Sequence, residues 1–174
     1  MKRILSSVVA AVIAVAVSAS MAQAQSISFG VGGGLTIPTG DFKTGSKTGW
    51  HGIANIGYEM PGGIGLRGDF YYGQNKAKVG TNKAKLAGGL ANVTYTFAGA
   101  GTIHPYLIGG AGVFNAKDDT GFSETKFAWA AGGGVKFKAG TDASIFAEGR
   151  YVSVSTTGGK TNFIPLSVGV SFGM

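Results

Sequence analysis

The side chains best suited to chemistry are Arg67 with Asp69 and Glu148 with Arg150, two pairs of opposite charge each spaced by one residue. On a strand, residues i and i+2 share a face. A structural ion pair explains Glu148 and Arg150 more cheaply than acid–base catalysis, and Arg67 and Asp69 supply one further charge of each sign. Glu59 and Lys136 add one more group of each sign. There are two histidines, and neither begins a metal-ligand motif. His51 beside Trp50 reads as an interior or rim residue rather than a base, and His104 before Pro105 as a turn residue. Asp118 and Asp119 could touch a cation, but the density of oxygen ligands falls short of a calcium loop. With no cysteine, a thiol nucleophile and thiolate zinc are excluded. The glycine clusters lack the Gly-x-x-x-x-Gly-Lys-Ser/Thr form of a phosphate cradle. The expectation is no catalytic, cofactor-binding or metal-ligating residue, and no cofactor.

What must position these charges is a set of alternating segments. The clearest lies near the end of the sequence. Ile164, Leu166, Val168, Val170 and Phe172 share one face, and Pro165, Ser167, Gly169 and Ser171 the other. Near the start of the mature chain, Ile27, Phe29, Val31, Leu35 and Ile37 alternate with glycine and small polar residues. Two such edges joined first to last would close a barrel. Six more segments lie between them, at about residues 50–60, 64–72, 84–97, 105–114, 124–138 and 143–154, giving eight strands with 26–37 and 161–172. On strand 5 the pattern sends Leu107, Ala111 and Val113 outward, opposite Tyr106, Ile108 and Phe114. Connections after strands 2, 4 and 6 read as short. Those after strands 1 and 3 read as longer, the latter running from Gly73 to Lys83, and those after 5 and 7 as modestly longer. Pro165 is expected at the rim, because it forfeits a ladder bond.

The first 24 residues read as a cleaved signal peptide. Met1-Lys2-Arg3 is basic, Ile4 to Val17 is mostly apolar, and Ala22-Gln23-Ala24 has the small-x-small pattern of a cleavage site. The apolar run is too short for a spanning helix, which needs about 20 residues. Residues 25–174 then form one domain. Removing Lys2 and Arg3 lowers the formal charge from +7 to +5. All 32 glycines follow the signal, about three times ordinary usage, without a collagen period. Total charge alone gives no support for nucleic-acid binding.

The outward face meets either lipid or water. A soluble barrel keeps its apolar face inside. Here the alternative face carries Arg67, Asp69, Lys136, Glu148 and Arg150 on central strands, and the other carries large aromatic residues. Trp50, Tyr72, Phe127 and Trp129 sit near the long-loop ends. Met60, Tyr95, Phe97 and Phe137 sit near the short-turn ends, as two interfacial belts would. The expected fold is an all-β, eight-stranded, antiparallel up-and-down transmembrane β-barrel with an internal polar network. A soluble barrel is the alternative.

Three stretches carry a family resemblance: Gly32 to Phe42 (GGGLTIPTGDF), Pro105 to Gly112 (PYLIGGAG) and Phe146 to Tyr151 (FAEGRY). In this order after an export signal, the chain resembles the small bacterial outer-membrane β-barrel proteins, akin to the barrel domain of outer-membrane protein A. The resemblance implies a cell outer-membrane location, contact with outer-membrane lipids, insertion by the outer-membrane assembly machinery, and a monomeric or weakly associating barrel. It implies a non-enzymatic structural, adhesion or surface-interaction role and carries over no catalytic residue. A narrow porin-like channel for small solutes, or a soluble or lipid-binding ligand barrel, is the alternative. The assembly signal of the family ends in an aromatic residue, whereas Phe172 is followed by Gly173-Met174. No peptidoglycan-binding domain follows, so wall tethering is not expected. The basic loops, with Lys76, Lys78 and Lys83, could contact anionic lipid headgroups or a negatively charged partner.

Overall fold

A strand crossing a membrane has no water to satisfy its backbone, so its sheet must close on itself. The computed structural model, which describes residues 26–78, 83–98, 101–117, 123–156 and 159–173, has this closed form. Its strands are β1 (Ser26–Thr39), β2 (Gly49–Glu59), β3 (Ile64–Lys76), β4 (Lys83–Thr96), β5 (Ile103–Lys117), β6 (Ser123–Lys138), β7 (Ala143–Thr156) and β8 (Gly159–Gly173). They form one closed barrel in chain order, every neighbour antiparallel. β1 and β8 close it, with Gly32 opposite Gly169 and Phe29 opposite Phe172. A short helix, α1 (Asp41–Gly45), lies in the first connection.

Alternation decides the two faces. Val168 is 60% exposed while Ser167 beside it is 4% exposed. Leu66, Phe70, Leu107, Val113, Phe127 and Trp129 likewise face out, and Arg67, Asp69, Ile108, Phe114, Ala128 and Ala130 face in. This is the reverse of a soluble barrel. The outward aromatic residues pair near both ends, Trp50 with Tyr72 and Trp129 with Tyr151 at one, Tyr95 with Phe97 at the other. At the short-turn end, Gly62, Gly63, Gly101 and Gly140 take positive φ, the conformation that a tight turn needs and that glycine adopts without a Cβ penalty.

The strands run further than their apolar pattern. β3 continues to Lys76 because Gly73 to Lys76 pair with Lys83 to Leu86. The expected long connection therefore shrinks to residues 77–82. β5 starts at Ile103, so His104 lies on a strand rather than in a turn. β7 and β8 pair up to Thr156 and Gly159, leaving only 157–158 between them instead of a modest loop. In each case polar residues continue a ladder already set in register by the apolar core. Pro38 does not stop β1, which pairs with β8 alone at that level and leaves the missing N–H facing no β2 strand. Pro165 is not at the rim. It is the seventh of 15 residues in β8, buried, and paired with Thr36 of β1. On its other side the β7–β8 ladder is interrupted between Gly149–Leu166 and Val152–Phe163, so the lost bond is confined to that one seam. Residues 1–25, Asp118, Asp119 and Met174 lie outside the described residues.

The bore is filled by rings seated on glycine. A Cβ on Gly32 would lie 3.0 Å from Phe146 Cζ, and one on Gly169 2.5 Å from the same atom. These two glycines, opposite each other across the closing seam, leave the space that the buried Phe146 occupies. Gly169→Val is expected to destabilise the barrel by about 1–3 kcal/mol, the usual range for overpacking, measured by urea unfolding in phospholipid vesicles.

Candidate functional site

β3 and β7 lie four strands apart in the closed ring, on opposite walls, and run in the same direction. Along that direction β3 carries Arg67 then Asp69, and β7 carries Glu148 then Arg150. The reversed order sets opposite charges at each level across the bore. Arg67 Nε donates to Asp69 Oδ1 at 2.7 Å, and Arg67 Nη1 to Glu148 Oε2 at 2.8 Å. Arg150 Nε donates to Glu148 Oε1 and Arg150 Nη1 to Asp69 Oδ2, both at 2.5 Å. Each guanidinium thus touches both carboxylates. Tyr106 donates to Glu148 at 2.7 Å and Asn92 to Asp69 at 2.9 Å. All four charged residues are buried. Removing charges from water costs several kcal/mol per ion, which only close pairing and added hydrogen bonds repay. The cluster meets both conditions and has no net charge.

The expected internal network therefore exists, in two parts. Lys136 and Glu59 form a separate pair at 2.9 Å nearer the short-turn end, where Thr96 also donates to Glu59. Cation–π contacts join the layers, with Arg67 over Phe146 and Lys136 over Tyr106, each 5.7 Å from the ring centre. On the loop side of the cluster sits an aromatic plug. Tyr71, Phe114 and Phe163 contact one another at 5.5–5.9 Å between ring centres. Tyr106 and Asn92 were not singled out from the sequence as partners of the charges. Their inward parity was visible, and the register Arg67–Asn92 is what joins Asn92 to the cluster.

His51 is interior. Its ring stacks on Tyr71 at 5.0 Å, Nε2 lies 2.8 Å from Ser167 Oγ, and Nδ1 lies 3.1 Å from Thr36 Oγ1, which is 2.5 Å from the Tyr71 hydroxyl. A histidine this close to a serine has the spacing of a base and nucleophile. Here both are enclosed, at 2% and 4% exposure, beside the aromatic plug, and the arrangement ties β1, β2, β3 and β8 together. His104 is half-buried on β5, opposite Lys136. Among the described residues no three His, Cys, Asp or Glu side chains are grouped to hold a metal. Two interior cavities flank the charged cluster, of about 20 and about 10 Å³, each about the size that holds one water.

Charge is sorted along the axis. By chain position, nine of the eleven lysines after residue 25 lie at the loop end with four acids, Asp41, Asp118, Asp119 and Glu124. The central cluster balances, and so does the short-turn end, where Lys136 and Lys138 meet Glu59 and Asp142. The whole +5 of residues 25–174 therefore collects at one rim. The loop end is also braced. Asn75, fully buried, donates to the Lys47 carbonyl at 3.0 Å, and residues 45–47 pair with the end of β3 and the residues after it through Ser46–Ala77.

Arg67→Met leaves two buried carboxylates short of a partner. It is expected to cost about 3–5 kcal/mol in vesicle unfolding, as removal of one member of a buried pair does. Glu148→Met should cost a similar amount. The double variant should cost clearly less than the sum, with the coupling read from a double-mutant cycle.

Solved structures share this architecture. Neisserial surface protein A is 20% identical with a TM-score of 0.65, over 85% of this chain and 96% of that one. Ail, the attachment invasion locus protein of Yersinia pestis, solved in complex with the heparin analogue sucrose octasulfate, is 22% identical with a TM-score of 0.51, over 85% and 97%. The outer membrane enzyme PagL is 17% identical with a TM-score of 0.52, over 84% and 98%. At these identities the likeness concerns the fold. No curated protein sequence matches. The family described as outer membrane protein beta-barrel domain matches residues 7–172, nearly the whole chain. With its closed eight-stranded ring, apolar exterior and charged interior, this chain belongs to the outer membrane protein beta-barrel family and is a transmembrane barrel of the cell outer membrane.

Proposed function

We propose that this barrel is a non-enzymatic surface protein that presents its basic loop end to an anionic partner outside the cell. The observation that carries this reading is the collection of the entire net positive charge at one rim. Such a field draws in polyanions and raises their on-rate. Ail with its bound sulfated sugar offers a parallel on a similar scaffold. The enclosure of His51 and Ser167 speaks against hydrolytic chemistry at that pair, despite the shared fold of PagL. A solute channel is disfavoured because the charged cluster spans the bore and the cavities beside it are water-sized.

The wider reading rests on the basic start, apolar run and Ala22-Gln23-Ala24 of the sequence and on the closed ring. Residues 1–24 are a signal peptide, and the mature chain begins at Gln25. The assembly machinery inserts the barrel using the closing strand, whose Phe172 faces outward. The closed ladder leaves no open sheet edge, which suits a monomer.

Two measurements check this. The sequence contains no cysteine, so a single introduced thiol reports orientation. Thr44→Cys should react with a membrane-impermeant maleimide on intact cells, whereas Thr141→Cys at the short-turn end should react only after lysis. Labelling of Thr141→Cys alone on intact cells would reverse the topology. Cells displaying the barrel should also retain heparin at low salt and lose it as salt shortens the screening length to about 3 Å near 1 M. Retention should fall in Lys43→Gln/Lys78→Gln/Lys126→Gln/Lys160→Gln. Salt-independent retention, or none, would sink the anionic-partner reading.

A further inference from the structure

Arg150 leaves two of its groups without a partner. Its Nε and Nη1 donate to Glu148 and Asp69. Its Nη2 is buried and meets no acceptor among the described residues, on a side chain that is 4% exposed. A buried donor left unsatisfied costs its full desolvation, and more so when it is charged. Native structures seldom leave such a group unanswered.

The second group is its backbone carbonyl. At the foot of the β7–β8 ladder the Gly173 N–H donates to the Asp142 carbonyl at 2.9 Å, one step beyond the pair Ala143–Phe172. Asp142 and Gly173 are thus a hydrogen-bonded pair, and every second pair along an antiparallel ladder is of that kind. Even-numbered residues of β7 therefore turn their N–H and C=O toward β8. Between Gly149–Leu166 and Val152–Phe163 the register sets Arg150 opposite Pro165. Proline has no N–H to give, so the Arg150 carbonyl lacks its ladder donor. Leu166 beside it faces outward, and lipid on that side supplies no hydrogen bond.

Both groups belong to the wall of one space. The cavity of about 10 Å³ is lined by Arg150 and Pro165 together with Asp69, Glu148 and Ser167. Its volume is about what one water needs. Charge decides the occupant. An anion would lie against two carboxylates, and a cation against the Arg150 guanidinium. A neutral molecule that both accepts and donates meets neither penalty. We propose that this cavity is the binding site of one structural water, which accepts a hydrogen bond from Arg150 Nη2 and donates one to the Arg150 carbonyl. The water completes the guanidinium of the charged bridge and closes the ladder break from inside the bore. The N–H that Pro165 lacks is replaced by an O–H from the interior, which is how a proline stands in the middle of a membrane strand.

The test uses the full chain, produced in the outer membrane and crystallised from detergent at a resolution that shows ordered water. Crystals are grown separately with bromide and with rubidium as the salt ion, because both scatter anomalously. One peak should stand within hydrogen-bond distance of Arg150 Nη2 and of the Arg150 carbonyl, about 2.7–3.2 Å, with no anomalous signal. An anomalous peak in the cavity, or no peak there, overturns the proposal. Pro165→Ala gives a second readout, by urea unfolding in phospholipid vesicles. It restores a ladder N–H to a carbonyl that the water already satisfies. The unfolding equilibrium constant should therefore rise by about two- to fivefold, the effect of a freer unfolded chain alone. A fall of about tenfold, the gain expected from answering an unsatisfied buried group, overturns the proposal. Heat-modifiable migration checks that the variant is folded. Should it fail to fold, the crystals of the unaltered chain decide alone.

Discussion

The constraint on which everything else depends is the absence of water around the backbone. Every N–H and C=O within the hydrocarbon must find a partner in the protein. Eight strands meet that demand only by joining β1 to β8, and the ring so formed is narrow. Among the described residues the strand ladders are interrupted once, at the β7–β8 seam beside Pro165, which shows how little departure the wall contains. Closure also inverts the usual assignment of faces, giving the apolar alternate residues to lipid and leaving the polar ones to fill the bore.

A narrow bore must then be filled with no more than water-sized gaps and without unpaired charge. The chain does so in layers, with a separate Lys136–Glu59 pair at the short-turn end, Phe146 and Tyr106 above it, the four-charge bridge at the centre and the aromatic plug toward the loops. Glycine makes the rings fit where strands approach closely. The charges stiffen the interior but contribute no net field. The net charge that the protein carries is therefore set by the rim lysines.

Much of this was legible in the sequence because strand alternation has period two and lipid contact forces large apolar residues onto one parity. Leu107, Ala111 and Val113 could be assigned outward although Tyr106, Ile108 and Phe114 made both faces of β5 apolar. Strand ends were not legible. Gly73 to Lys76 and Lys83 to Leu86 look like loop by composition, and only the register carried up from below keeps them paired. Pro165 was misplaced because its cost depends on which neighbour its missing N–H would face, a fact of register rather than of residue type. The inventory of inward charges could be read, but not who meets whom. Arg67 and Glu148 are 81 residues apart, and their contact follows only once β3 and β7 are known to be opposite walls. Ser167 and Thr36 gave no sign of holding His51 because each is an ordinary small inward residue until the ring closes.

The reversed order of charges on β3 and β7 has a further effect on assembly. A slip of one residue between strands turns their side chains to the wrong face and is rejected by lipid. A slip of two residues keeps every apolar residue outward, so alternation cannot detect it. The four-charge bridge can. Moving β3 by two residues relative to β7 would set Arg67 level with Arg150, or Asp69 level with Glu148, and would break both contacts across the bore, leaving only the pairs within each strand. The bridge therefore works as a proofreading device, favouring the register in which a barrel with a greasy outside also has its inward charges paired across the bore.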